Sequence, residues 1–255
     1  MKVGILAGGL GTRLMEETRV QPKPMVHVGG KPILWHIMKI YSFYGFNEFV
    51  IALGYKGDVI KDYFLNYHYH THSLTVDLSS NGITVHNGEE SRWKVHLLDT
   101  GADTLTGGRV RQIADFVGNE TFMLTYGDGV ANININKLLQ HHRNSQKLAT
   151  VTAVHPASRY GEIKISDGMV NEFREKPQIE DGWINGGFFV LEPEIMNYIS
   201  GDQIAWEQEP INRLVKERQL AVYCHEGYWQ SMDSLRDVQT LETLWQNGEA
   251  KWKVW

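Results

Sequence analysis

The segment Leu6-Ala-Gly-Gly-Leu-Gly-Thr-Arg-Leu14 has the makings of an anion cradle. Its glycines at 8, 9 and 11 let the backbone turn sharply and present bare N–H groups, while Thr12 adds a hydroxyl and Arg13 a rigid guanidinium fork. The spacing is neither that of a P-loop, since no Gly-Lys-Ser/Thr follows, nor that of the dinucleotide pattern G-x-G-x-x-G. About ten residues on, Pro22-Lys23-Pro24-Met25 holds a lysine between two prolines, which restrict the backbone on both sides and fix where the ammonium points. A lysine needed only for solubility would not require this. Farther along, Tyr126-Gly-Asp-Gly129 offers an aspartate in a turn, and Glu175-Lys176-Pro177 pairs an acid with a base.

These groups need a frame. Val3 to Ala7 is a short apolar run entering the glycine turn, as a buried strand would. Ile33, Leu34, Ile37, Met38 and Tyr41 recur at helical spacing within 31–45, with Pro32 near the start. Phe49 to Leu53 reads as a second strand and Asp58 to Phe64 as the next helix, so the order β-α-β-α predicts a parallel sheet covered on both faces. Residues 66–120 alternate, giving strands at 74–78 and 95–98 beside a glycine-rich loop at 101–108. Thr121 to Thr125 forms another strand, which places Asp128 just beyond a carboxyl end, where open α/β sheets bind ligands. A helix at 136–145, a strand at 148–154, a hairpin over 161–173 turning at Asp167-Gly168, and a strand from Ile184 to Leu191 follow. The tail from about 233 has helical spacing and ends in tryptophans.

The bulk composition excludes several functions. With 255 residues, 42% hydrophobic and 22% charged, the chain has material for one sizeable core. A net charge of −5 repels polyanions, so no nucleic-acid partner is expected, and any phosphate site must be built locally. No apolar run is long enough for a membrane span, and Met1-Lys2 leads straight into a strand rather than a leader; with the single Cys224 this points to the cytoplasm.

GGLGTRL, then PKPM, then Gly29-Gly-Lys-Pro32 and a helix together resemble the signature of the sugar-1-phosphate nucleotidyltransferases, the nucleotide-sugar pyrophosphorylases. The resemblance covers most of the chain. It implies a Rossmann-like α/β fold: a mixed, mostly parallel sheet flanked by helices, with a smaller sugar-binding β subregion and a C-terminal helical tail. Residues 1–255 would form one domain, with 1–150 mainly binding nucleotide and 151–255 mainly binding sugar phosphate and making oligomer contacts. By the same resemblance Asp128 and Asp233 are the Mg²⁺ ligands. Leu6, Ala7, Gly8, Gly9, Gly11, Thr12, Arg13, Lys23, Thr104, Gly108, Arg109 and Asp128 bind the nucleotide. Gly161, Glu175, Lys176, Asn185 and Asp233 bind the sugar phosphate. ILWHIM, GYKG, TGGR, FMLTYGDG, INGGFFVL, AWEQEP and the terminal WKVW look like the cytidylyl branch, which implies CTP and glucose 1-phosphate as substrates, CDP-glucose and pyrophosphate as products, and a homo-oligomer, a hexamer.

In-line attack by a sugar-phosphate oxygen on an α-phosphorus brings two anions together, so catalysis is mostly charge management. Arg13 would steady the leaving pyrophosphate, Lys23 would bridge the α-phosphate and the incoming phosphate, and Asp128 would complete the catalytic set by holding metal. No general base is needed, because the attacking phosphate is already ionised. The resemblance gives Thr104 and Arg109 as nucleotide contacts, with the neighbouring glycines allowing close approach. Cytosine specificity requires an acceptor facing N4, and the residues do not reveal which group supplies it. A cytidylyltransferase for another acceptor, a thymidylyl- or uridylyltransferase for glucose 1-phosphate, and a non-catalytic sugar-nucleotide-binding subunit are the rival readings. His68, His70 and His72 lack a Cys or carboxylate at ligand spacing and are not taken as a metal site. Trp245, Trp252 and Trp255 are expected at an oligomer contact. Glu207, Gln208 and Glu209 read either as sugar contacts or as a helix's first turn.

Overall fold

A computed structural model describes residues 1–14, 18, 20–86, 92–156, 162–166, 169–174 and 182–255, with backbone only at 13, 162–166 and 172–174. In chain order its elements are β1 (Val3–Leu6), β2 (His27–Val28), β3 (Lys31–Pro32), α1 (Ile33–Phe43), β4 (Glu48–Leu53), α2 (Gly57–Leu65), α3 (Tyr67–Thr71), β5 (Leu74–Asp77), β6 (Gly82–Val85) and β7 (Lys94–Asp99). There follow α4 (Thr106–Val117), β8 (Phe122–Tyr126), β9 (Gly129–Ala131), α5 (Ile135–Ser145), β10 (Ala149–Val154), β11 (Glu162–Ser166), β12 (Met169–Arg174), β13 (Ile184–Leu191), α6 (Glu209–Lys216), β14 (Leu220–His225), β15 (Trp229–Ser231) and α7 (Leu235–Gln246). Short 3-10 turns lie at Thr12–Leu14, Lys23–Met25 and Pro193–Tyr198.

A seven-stranded sheet in the order β14-β10-β13-β8-β1-β4-β7 organises the chain. Strands β7, β4, β1 and β8 run parallel, β13 is antiparallel to both β8 and β10, and β14 rejoins the parallel direction beside β10. The chain leaves β1 toward β4 and β7, then returns to its other side with β8. That reversal opens a crevice at the carboxyl ends of β1 and β8, the place where such sheets bind ligands.

Burial on both faces explains the unbroken apolar strands. Val3 to Leu6 is buried throughout, as are five of the six residues of β4. On β13, Phe188 packs with α1 and the C-terminal Trp252 on one face, while Phe189 packs with α4 and Trp206 on the other, as period-two alternation requires.

Several elements differ from the sequence expectation. The glycine-rich loop ends at Thr106, where α4 begins, so Gly107 and Gly108 are helical. They are tolerated there because the 202–206 segment crosses the helix: a Cβ on Gly107 would stand 2.5 Å from Ile204 O, and one on Gly108 2.6 Å from Asp202 Cα. These glycines thus admit a neighbouring stretch of backbone. The histidine segment, not assigned from the sequence, is the short helix α3; His68 and His72 stand one turn apart, their ring centroids 5.4 Å from each other, and His70 projects elsewhere. Among the described residues no group of three or more His, Cys, Asp or Glu could hold a metal ion. The turn expected at Asp167-Gly168 lies outside the described residues, although β11 and β12 do pair antiparallel around it.

The terminal tryptophans pack against α1 of their own chain, with Trp252 enclosed and Trp245 and Trp255 half-buried. Trp252 is fully buried, the rings of Trp245 and Trp252 stand 4.8 and 6.1 Å from His36 on α1, and Trp255 stands 5.8 Å from Trp35. His36 Nε2 donates to Val28 O at 2.8 Å, which leaves Nδ1 to accept from Trp252 Nε1 at 3.4 Å. Burial drives the His36 pKa down to about 4, against the weaker pull of the Val28 hydrogen bond and Glu242.

Candidate active site

The crevice is a cleft of about 450 Å³ bordered by the loop after β1, the Lys23 turn, the start of α4 and the end of β8. Leu6, Ala7, Gly8, Gly9, Gly11, Thr12, Lys23, Thr104, Arg109, Asp128 and Asp233 all line it. The predicted residues from four separate stretches of sequence are therefore brought together. Gly108 and Asn185 stand outside the lining, Gly108 turned toward Asp202 and Asn185 joined to the lining residue Tyr126 by a 3.3 Å bond. Gly161, Glu175 and Lys176 lie outside the described residues, as does the side chain of Arg13.

At one end of the cleft Lys23 Nζ donates to Asp128 Oδ2 at 2.6 Å and to Asp233 Oδ1 at 2.7 Å. A small antiparallel ladder puts the two acids there. Strand β9 pairs with β15 in the register Gly129↔Ser231, and the Met232 N–H donates to Asp128 O at 2.8 Å. Asp233 then follows directly beside Asp128, although 105 residues separate them. Its backbone is fixed by a capping box: Ser234 caps α7, and Asp237 Oδ2 accepts from the N–H groups of both Asp233 and Ser234. Burial works against the Lys23 charge, but Asp128 and then Asp233 outweigh it and hold the ammonium above the ordinary lysine pKa.

Arg109 occupies the floor. It is 3% exposed, and its guanidinium donates to Leu53 O at 2.7 Å, Gly8 O at 3.1 Å, Ala102 O at 3.4 Å and Thr100 Oγ1. One side chain thus ties together the loops after β1, β4 and β7. The guanidinium explains Gly8, because a Cβ there would collide with it. The resemblance gives Arg109 as a nucleotide contact; it lines the cleft, and its guanidinium donates to protein oxygens. Burial lowers its pKa, with Asp99 opposing.

Beside the expected Thr104, the start of α4 adds two lining residues that the sequence reading missed, Leu105 and Thr106. Thr104, Leu105 and Thr106 line the cleft, and the helix they begin runs for 12 residues with its positive dipole end toward it. Tyr126 was also unassigned; it lines the cleft and donates to Glu207 Oε1 at 2.7 Å, while Thr106 Oγ1 donates to Glu207 Oε2 at 2.6 Å. Its position two residues before Asp128, at a strand end, was the available signal. Of the acidic patch, Glu209 begins α6, whereas Glu207 accepts hydrogen bonds from two residues that line the cleft, Thr106 and Tyr126.

Residues 2–250 match the family model described as nucleotidyl transferase, and the chain belongs to that family. It is 50% identical to a glucose-1-phosphate cytidylyltransferase of Salmonella typhi over 256 aligned positions, covering 100% of both chains. It is 48% identical to a probable glucose-1-phosphate cytidylyltransferase of Bacillus subtilis, again over the full length of both. Among solved structures, HddC from Yersinia pseudotuberculosis shares the fold with a TM-score of 0.69 at 23% identity, over 96% of this chain and 99% of that one. The mixed, mostly parallel sheet flanked by helices is the family's architecture. Among the described residues no helix is long and apolar enough to cross a membrane.

Proposed function

We propose that the protein transfers a cytidylyl group from CTP to glucose 1-phosphate, giving CDP-glucose and pyrophosphate. The reading is supported by full-length identity to cytidylyltransferases named for that reaction. The single observation that carries its chemistry is Lys23 Nζ standing 2.6 and 2.7 Å from Asp128 and Asp233 beside a glycine loop.

In this reading the triphosphate lies along the loop of Gly8, Gly9 and Gly11, with Thr12 and Arg13 at its β- and γ-phosphates and Thr104 toward the base. Lys23 exchanges its carboxylates for the α-phosphate and the incoming sugar phosphate, holding attacking oxygen and phosphorus in line. Arg109 keeps the loop in shape and lends it positive charge. Glu175, Lys176, Asn185 and Gly161 meet the sugar phosphate.

Two carboxylates that converge on one ammonium suit Mg²⁺, which takes one or two carboxylates and fills its remaining positions with phosphate oxygens and water. Asp128 and Asp233 would hold it, and it would neutralise charge on the triphosphate. A cytoplasmic location and a homo-oligomer, a hexamer, belong to the same reading, as the family resemblance of the sequence implies.

The test is pyrophosphate release from glucose 1-phosphate with each of four nucleoside triphosphates, repeated under chelation. CTP is expected to lead by at least tenfold, and chelation to stop turnover. Equal rates with UTP or dTTP would remove the cytidylyl assignment, and activity indifferent to chelation would remove the metal site. Sedimentation as a monomer would remove the oligomer.

A further inference from the structure

The segment 202–207 is anchored against α4 with unusual care for an exposed stretch. Leu105 N–H donates to Asp202 O at 2.9 Å, Gly107 N–H to Ile204 O at 2.8 Å, and Gln203 Nε2 to Asp103 O at 3.2 Å. Trp206 is fully buried and its N–H donates to Thr106 Oγ1 at 2.9 Å. Such anchoring delivers the next residue, Glu207, to a fixed point. There its two carboxylate oxygens divide the work: Oε2 accepts from Thr106, on the nucleotide wall, and Oε1 accepts from Tyr126, at the end of β8. The Tyr126 hydroxyl, its proton committed to Glu207, accepts in turn from Asn185 Nδ2 at 3.3 Å, while Asn185 Oδ1 accepts from Gly187 N–H at 2.8 Å.

We propose that Glu207 is a positioning residue for the reaction, its carboxylate fixing Tyr126 and Thr106 together and thereby orienting Asn185 toward the sugar. The proposal rests on the functional reading above, in which Asn185 meets the sugar. Glu207 acts through Tyr126, so its loss disorients the sugar strand and weakens sugar-phosphate binding more than it slows bond exchange. A carboxylate that merely steadied the first turn of α4 would change stability instead.

The experiment compares the unaltered protein with Glu207→Ala, Glu207→Gln, Tyr126→Phe and the Glu207→Gln, Tyr126→Phe double variant. It reads kcat, both KM values, the Kd of glucose 1-phosphate by calorimetry, and Tm. Expected are a KM and Kd for glucose 1-phosphate raised about tenfold in Glu207→Ala, with kcat and Tm nearly unchanged. Glu207→Gln should fall between, because a carboxamide offers one acceptor oxygen for two donors, and the double variant should be no worse than Tyr126→Phe alone. KM and Kd within twofold of the unaltered protein, additive losses in the double variant, or a lowered Tm without a change in Kd would each overturn the role of Glu207. Failure of the unaltered protein to turn over any triphosphate would count against the functional reading, and calorimetry would still decide the positioning of Asn185.

Discussion

Lys23 and Arg109 border the same cleft, one with its ammonium between two carboxylates, the other with its guanidinium among neutral oxygens. Carboxylates raise the pKa of the lysine; burial lowers that of the arginine, which stays charged because its ordinary value is so high. The lysine's partners are ionised groups that a metal and phosphate can compete for, so its bonds are exchangeable. The arginine's partners are backbone carbonyls and a threonine, which nothing in a reaction replaces, so its bonds hold three loops in place. A cation is thus read by what it is bound to, and the difference separates a group that works in turnover from one that keeps the site assembled.

The sharpest way to break that contrast is to remove each cation. Lys23→Ala should lower kcat about 100- to 1,000-fold, the cost of losing one preorganised charge at a reacting centre. Its melting temperature should move little, since partly exposed ion pairs contribute about 1 kcal/mol or less. Arg109→Ala should do the reverse first: a loss of about 3 kcal/mol in urea unfolding, because several buried acceptors lose their donor at once. An Arg109→Ala protein of undiminished stability but badly impaired turnover would make the arginine a ligand contact and erase the distinction.

Gly8→Ala approaches the same guanidinium from the loop and should cost about 1–3 kcal/mol by overpacking. An unaffected midpoint would mean that the floor yields where it is argued to be firm. His36 sharpens the comparison as a buried base that declines its charge. Its folded pKa is about 4 against an unfolded value of 6.5, so between those values the unfolded chain binds the proton that the folded one refuses. Stability is therefore full above pH 6.5 and falls as the pH drops toward 4, by about 2 kcal/mol between pH 7 and 5. His142 is shifted in the same direction. Unfolding measured at both pH values in the unaltered protein and in His36→Asn should show a shallower slope in the variant; an equal slope would assign the effect elsewhere.

Much of the frame was legible because burial on two faces writes itself into composition. Val3 to Leu6 and Phe49 to Leu53 are apolar runs bounded by turns, and Phe188 to Leu191 is the apolar end of Ile184–Leu191; each lies in a strand of the sheet. Gly107 and Gly108 misled because a glycine's small size suits a loop and a crowded helix equally.

At the site, the residue types by themselves determined that the chain handles phosphate: glycines beside Arg13, a lysine clamped by prolines, and an aspartate past a strand end. The resemblance named Asp233, but only the β9 and β15 ladder decides that it stands next to Asp128, since pairing across 105 residues leaves no local trace. Tertiary structure alone also decided that Arg109 faces protein oxygens and that Glu207 bridges Tyr126 and Thr106. Residue identity fixes which charges and donors exist, whereas their partners are set by which loops the sheet's topology brings within hydrogen-bonding reach.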